Sequence, residues 1–252
     1  MRKDRRVSTN PYKAQITIGG SYKHLGVFAT AQEAALAYAR AARDQALVER
    51  LDQLLRDADR WPAHGDCLID LGCGPGNISE RLARRWPRCT VVGVDAAEQM
   101  ILEAEDRRRQ NSIPSDRLQY VVAPLPWHAP SSQASLIVSN SLLHHLHDPQ
   151  KLWGCLRPLA GSHCLVLHRD LRRPSSSAEL DQLCECYTAD APELLQRDYR
   201  ASLHAAFTVE EVKEQLRDAQ LDHLQVRELE DRYLEISGWI TGCQAGLDQP
   251  SA

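Results

Sequence analysis

No apolar run in this sequence approaches the roughly 20 residues that a bilayer-spanning helix needs. No apolar segment follows the basic start Met1-Arg-Lys-Asp-Arg-Arg either, so neither a membrane span nor a secretory leader is expected. The eight cysteines (67, 73, 89, 155, 164, 184, 186 and 243) include no C-x-x-C pair, so no zinc site and no other metal is expected. Several sit inside apolar runs, where a thiol behaves as a small hydrophobe, and a reduced, cytoplasmic protein is expected. No internal repeat is evident.

What is present is a chain of 252 residues, 43% hydrophobic and 25% charged, enough for one large domain with a small appendage. Its charge is uneven. Residues 1–43 hold eight basic residues against two acidic ones, a surplus of six, so the remainder carries the balance of −10 in a chain of net −4. That asymmetry points to an anionic partner for the front end alone.

Residues 67–77, Cys-Leu-Ile-Asp-Leu-Gly-Cys-Gly-Pro-Gly-Asn, read as a buried strand, a glycine turn and the start of a helix. Glycine tolerates positive φ and lets a ligand approach the backbone, and the free N–H groups that open a helix favour an anion. Two nucleotide-binding patterns compete here. The dinucleotide fingerprint G-x-G-x-x-G/A is met by Gly72 and Gly74 but fails at Asn77. The pattern D-x-G-x-G-x-G is met in full by Asp70 to Gly76. The next strand, Thr90–Val94, ends at Asp95, near the spacing of a ribose-binding carboxylate. Asp95 can equally cap the helix expected over 96–109.

Asp70-Leu-Gly-Cys-Gly-Pro-Gly76 resembles motif I of the class I S-adenosylmethionine-dependent methyltransferases. The resemblance extends over residues 60–240 and includes "VSNSLLHHLHDP" after the fourth strand of that region. It implies S-adenosylmethionine as cofactor and S-adenosylhomocysteine as product. It also implies a cofactor site made of Asp70, Gly72, Cys73, Gly74, Gly76, Asp95, Ala96, Met100, Leu125, Asn140 and Ser141. In that family an acid often follows the third strand and meets the adenine amine; here Ala123-Pro-Leu-Pro126 stands in its place. His144 and His145 are the catalytic candidates, since a neutral imidazole can accept a proton near pH 7. His168, expected in the crevice at the end of a strand over 163–168, and with it Asp170 and Tyr187, are further candidates for a base.

Residues 5–28 alternate like paired strands, Gly19-Gly20 marks a hairpin, and Thr30-Ala-Gln-Glu33 is a capping box opening a helix. That helix is expected to run from Ala31 to about Asp59, with Trp61 to Asp66 as a boundary. Residues 12–42 resemble the greater part of an Apetala-two/ethylene-response-factor DNA-binding domain. The match departs at the front, where only Arg5-Arg6-Val7-Ser8 represents the first strand and Tyr12 replaces a usual tryptophan. The resemblance implies that Arg5, Arg6, Lys13 and Lys23 face DNA.

The expected fold is α/β: a doubly wound, mainly parallel seven-stranded sheet with a small N-terminal β-sheet-plus-helix domain. The expected domains are 1–43 (basic, three strands and a helix), 44–66 (helix and linker), 67–240 (the methyltransferase-like domain) and a tail, 241–252. The last two strands, 224–229 and 233–237, are expected to form an antiparallel hairpin, and the segment 170–207 to roof the crevice. Three functions follow: a methyltransferase acting on a small-molecule acceptor, a DNA-binding regulator whose second domain only senses cofactor, and a nicotinamide-dependent oxidoreductase, which Asn77 disfavours. The acceptor is expected to be small because Asn140-Ser-Leu-Leu lacks the Pro-Pro and aromatic of base-amino enzymes, and no Pro-Cys pair occurs.

Overall fold

The computed structural model describes residues 12–18, 21–129 and 133–242. The chain divides into two compact units, Met1–Arg50 and Leu51–Ala252. In the first unit, β1 (Tyr12–Ile18) and β2 (Ser21–Phe28) pair antiparallel, with an irregularity between Ala14 and Gln15. The alternation of the sequence decides the faces: Ala14 and Ile16 are buried, while Lys13, Gln15 and Thr17 are exposed. The helix α1 (Ala31–Asp57) then begins at a capping box, with the Glu33 amide donating to Thr30 Oγ1 at 3.1 Å and the Thr30 amide donating to Glu33 Oε2 at 3.2 Å. The expected third strand at 5–8, together with Arg5 and Arg6, lies outside the described residues, as does the side chain of Lys23.

The second unit is built on a seven-stranded sheet. Its strands are β3 (Cys67–Leu71), β4 (Thr90–Asp95), β5 (Leu118–Val122), β6 (Ala134–Asn140), β7 (Ala160–Leu171), β8 (Gln225–Leu229) and β9 (Tyr233–Ile240). They lie in the order β5-β4-β3-β6-β7-β9-β8, with β3 to β7 parallel and β9 antiparallel to both its neighbours. Every residue of β3 is buried, as a central strand covered on both faces requires. The final pair forms the expected antiparallel hairpin.

The helices α2 (Asn77–Arg85) and α3 (Glu98–Gln110) pack along β3, β4 and β5, and α4 (Gln150–Leu159) packs with α7 (Val209–Asp218). From β3 the chain winds out to β5 and then returns to place β6 on the other side of β3. The order therefore reverses between β3 and β6, which is where ligands of doubly wound sheets bind. Between β7 and α7 the insert forms α5 (Ser177–Thr188) and α6 (Glu193–Ala205). These helices share a separate apolar cluster of Leu171, Leu180, Leu183, Leu203 and Ala206.

One charged ladder ties the antiparallel edge together. Glu235 on β9 is fully buried, accepts from Arg169 Nε at 3.0 Å on one side and from Arg227 Nε at 2.9 Å on the other, and so links β7, β9 and β8. Among the described residues no helix is long and apolar enough to cross a membrane, and the cysteines there form no disulfide.

Candidate active site

The glycine turn is shaped by backbone needs. Gly72, Gly74 and Gly76 all have positive φ (68°, 51° and 77°), a region that side chains with a Cβ rarely adopt. A Cβ at Gly72 would stand 2.7 Å from Leu142, and one at Gly76 would collide with the Tyr120 hydroxyl. A Cβ at Gly74 would meet no protein atom within 4 Å, so the loop is open on that side. The turn hangs from β4: the amides of Gly72 and Cys73 both donate to Val94 O, at 2.8 and 3.0 Å. Helix α2 starts at Gly76 without a side-chain cap, which leaves its opening amides to a ligand or water.

Asp95 joins loop to helix. Its Oδ2 accepts from the Gly74 amide and its Oδ1 from the Ala97 amide, each at 2.9 Å. A carboxylate offers about four acceptor positions, so each oxygen keeps one for a further donor such as a ribose hydroxyl. The ligand-binding and helix-anchoring readings of Asp95 are therefore compatible. Asp70 is fully buried and accepts from Ser79 Oγ at 2.6 Å, so it locks the turn onto α2 from beneath. The Cys73 thiol is also buried, and its pKa is pushed up by burial and by the nearby Asp70 and Asp95, which keeps it protonated. Ala96 is exposed beside Asp95, Met100 lies half-buried in the first turn of α3, and Leu125 lies half-buried beyond β5.

Across the switch point, Asn140 ends β6, and Ser141 follows with φ 59° while its amide donates to Arg169 O at 2.8 Å. The next residues form a 3-10 turn, Leu143–His145, and α6 of the insert packs against it. That turn is held by Asp170, the penultimate residue of β7. Its Oδ2 accepts from the Leu143 amide at 2.6 Å and its Oδ1 from the Leu171 amide at 2.7 Å, while His144 Nδ1 lies 2.5 Å from Oδ1. Both side chains are almost wholly enclosed.

The neighbouring imidazoles differ. His145 is exposed, with its ring centre 4.0 Å from that of His144. Its pKa is lowered by partial burial and by His144, against the pull of Asp170 and Asp95. His168 is fully buried beside Trp153, at a centroid distance of 5.4 Å, and among the described residues neither ring nitrogen has a hydrogen-bond partner. Burial pushes its pKa down to about 4, so it is neutral at pH 7. The expectation that His168 lies in the crevice is corrected: it sits within β7, three residues before the strand end, because the strand runs on to Leu171. Tyr187 faces the final hairpin. Its hydroxyl donates to Asp231 Oδ2 at 2.5 Å, and its ring lies 3.1 Å from the Arg232 guanidinium, at the β8–β9 turn.

The sequence reading missed the packing partners of the loop, Tyr120 and Leu142, and the pairing of His144 with Asp170. No local signal could reveal them, since each contact joins elements far apart in the chain. Among the described residues no group of three metal-type side chains is gathered.

Residues 68–159 match the family model described as a methyltransferase domain. The chain is 33% identical over 135 residues to the trans-aconitate 2-methyltransferase of Pseudomonas aeruginosa, covering 53% of this chain and 44% of that protein. It is 36% identical over 96 residues to the enzyme of the same name from Escherichia coli, covering 38% and 35%. The chain thus spans less than half the length of these curated relatives. Among solved structures it is similar to a SAM-dependent methyltransferase from Aquifex aeolicus (TM-score 0.53, 15% identity, covering 75% of this chain and 89% of that one). It is also similar to the plantazolicin methyltransferase BpumL bound to SAH (TM-score 0.56, 12% identity, 70% and 76%). The fold is that of the class I methyltransferases, a Rossmann-like doubly wound sheet.

Proposed function

We propose that this chain is an S-adenosylmethionine-dependent methyltransferase acting on a small-molecule acceptor. The observation that carries the reading is the open face of Gly74 beside Asp95, a carboxylate with spare acceptor positions at the switch point. The residues fit the cofactor. Gly72, Cys73, Gly74 and Gly76 form the backbone cradle, Asp95 and Ala96 meet the ribose and adenine side, and Met100 and Leu125 flank the ring. Asn140 and Ser141 lie on the methionine side, and Asp70 acts from beneath the cradle rather than by contact. When bound, the cofactor supplies an activated methyl group on sulfonium sulfur. The protein aligns the acceptor, excludes water and holds a proton acceptor at the His turn. His144 and His145 are the candidates there.

A small acceptor fits the insert, whose α6 packs against the His turn at the carboxyl ends of the strands. The relatives named for trans-aconitate support an acceptor of that size, over matches that span 38% and 53% of this chain. The test is transfer of labelled methyl from S-adenosylmethionine into a metabolite extract, with DNA and RNA in parallel. Label in the small-molecule fraction is expected. Label only in nucleic acid overturns the reading.

Within this proposal residues 67–240 are the catalytic domain and residues 1–43 an accessory module that binds DNA. The β1–β2 register favours the latter: Lys13, Gln15, Thr17, Tyr22 and His24 share one exposed face, an arrangement of cation and aromatic suited to a phosphate backbone. DNA binding that disappears on deleting residues 1–43, with cofactor affinity unchanged, is the expected result. The alternative is a DNA-binding regulator that only senses cofactor, in which no methyl is transferred.

A further inference from the structure

A buried carboxylate is costly unless donors surround it, and Asp170 has three. Two are backbone amides: that of Leu143, which ties the turn to the strand, and that of Leu171, the next residue of β7. The third is an imidazole, His144, whose Nδ1 lies 2.5 Å from Oδ1. An ionised carboxylate can only accept, so this contact assigns the proton to Nδ1 and leaves Nε2 with its lone pair. A proton arriving at Nε2 would create an imidazolium held against the carboxylate in a site of low dielectric, where the attraction is strong. The other two imidazoles of this region lack the arrangement. Among the described residues His145 makes no hydrogen bond to a carboxylate, and neither ring nitrogen of His168, sealed against Trp153, has a hydrogen-bond partner.

A carboxylate acceptor needs no such device, since it is already ionised at neutral pH, with an ordinary pKa of about 4. A hydroxyl or an ammonium group does need it. We propose that Asp170 is the positioning residue that holds His144 as the general base, and that the acceptor bears a proton on its reacting atom, as a hydroxyl or ammonium, rather than being a carboxylate. This rests on the methyltransferase reading above. The acceptor proton passes to His144 Nε2, the electron pair it leaves forms the bond to the methyl carbon, and the pair of the breaking carbon–sulfur bond stays on sulfur. The imidazolium then gives its proton to water.

The tautomer is read directly by 15N NMR of the imidazoles in the full chain saturated with S-adenosylhomocysteine, with His144 assigned by its loss in His144→Gln. The wild type shows the Nδ1–H tautomer, and Asp170→Asn shifts His144 toward Nε2–H with cofactor affinity kept. An Nε2–H tautomer in the wild type overturns the proposal. In turnover on a metabolite extract, Asp170→Asn loses about 10²-fold or more in rate, in the range of general-base catalysis. The double variant with His144→Gln is no slower than His144→Gln alone, whereas a purely structural Asp170 gives additive losses. The labelled products are then treated with mild alkali. Label that stays attached, as in an ether or amine, supports the inference. Label released as methanol marks an ester and overturns it while the methyltransferase reading stands. No label transferred by the wild type overturns the methyltransferase reading itself.

Discussion

The two sides of the crevice are built in different ways. On the proposed cofactor side, from β3 to the start of α3, the work is done by backbone: three glycines at positive φ, amides hung on Val94 O, and one carboxylate stitched to Gly74 and Ala97. On the proposed acceptor side, from the His turn to β9, it is done by side chains from distant elements: Asp170 under His144, and Glu235 between Arg169 and Arg227. A backbone site tolerates many side chains but few losses of glycine, and this side lies within the segment that matches the family model. A side-chain site can change its specificity by single substitutions, and the matched segment ends at residue 159, before most of it.

The comparison can be broken most forcefully at Glu235. Glu235→Ala removes the acceptor of two guanidinium groups and leaves Arg169, 13% exposed, without that carboxylate. The expected loss is about 3–5 kcal/mol of folding stability. Urea unfolding should show this as a lower midpoint. Because the damage lies on the acceptor side, S-adenosylhomocysteine should still bind the folded fraction with unchanged affinity.

A smaller effect, of about a few kcal/mol at most, is expected at His168 on acidification. Its folded pKa is depressed to about 4 by burial, below the ordinary value near 6.5. Between those values the unfolded chain binds a proton that the folded chain refuses. Stability is therefore intact above pH 6.5 and lost progressively as pH falls toward 4. In His168→Leu this part of the pH dependence should disappear, as read by melting temperature across pH 4–7. An unchanged slope would show that His168 is solvated.

The smallest expected effect sharpens the cofactor side. Asp95→Ala deletes the acceptor of the Gly74 and Ala97 amides and the proposed ribose contact. Affinity for S-adenosylhomocysteine should fall by about 1–3 kcal/mol in titration calorimetry, with little change in global stability. Equal binding in this variant would remove Asp95 from the site.

The cofactor side was legible because its determinants are local. A glycine at alternate positions states its own backbone conformation, and an apolar run ending in an acid states a strand and its carboxyl end. The seven strands, the unbroken α1 and the closing hairpin were legible for the same reason, since the periodicity of 2 or 3.6 is written in consecutive residues. The neighbourhood of the histidines was not. The string Leu-Leu-His-His-Leu-His is the same whether its imidazoles face water, core or a carboxylate. Only the pairing of β6 with β7 sets Asp170 beneath the turn, 26 residues away from His144.

His168 shows the same limit from the other direction. Its place near the end of a strand suggested the crevice, but β7 extends to Leu171 and Trp153 of α4 closes over the ring. By itself, then, the sequence determined the order of the elements, the open glycine loop and the acid beside it, because backbone conformation and hydrophobic periodicity are properties of neighbours. Tertiary structure alone decided which imidazole has a carboxylate behind it and which is sealed in the core. Burial and hydrogen-bond pairing arise only when strands distant in the chain are laid side by side.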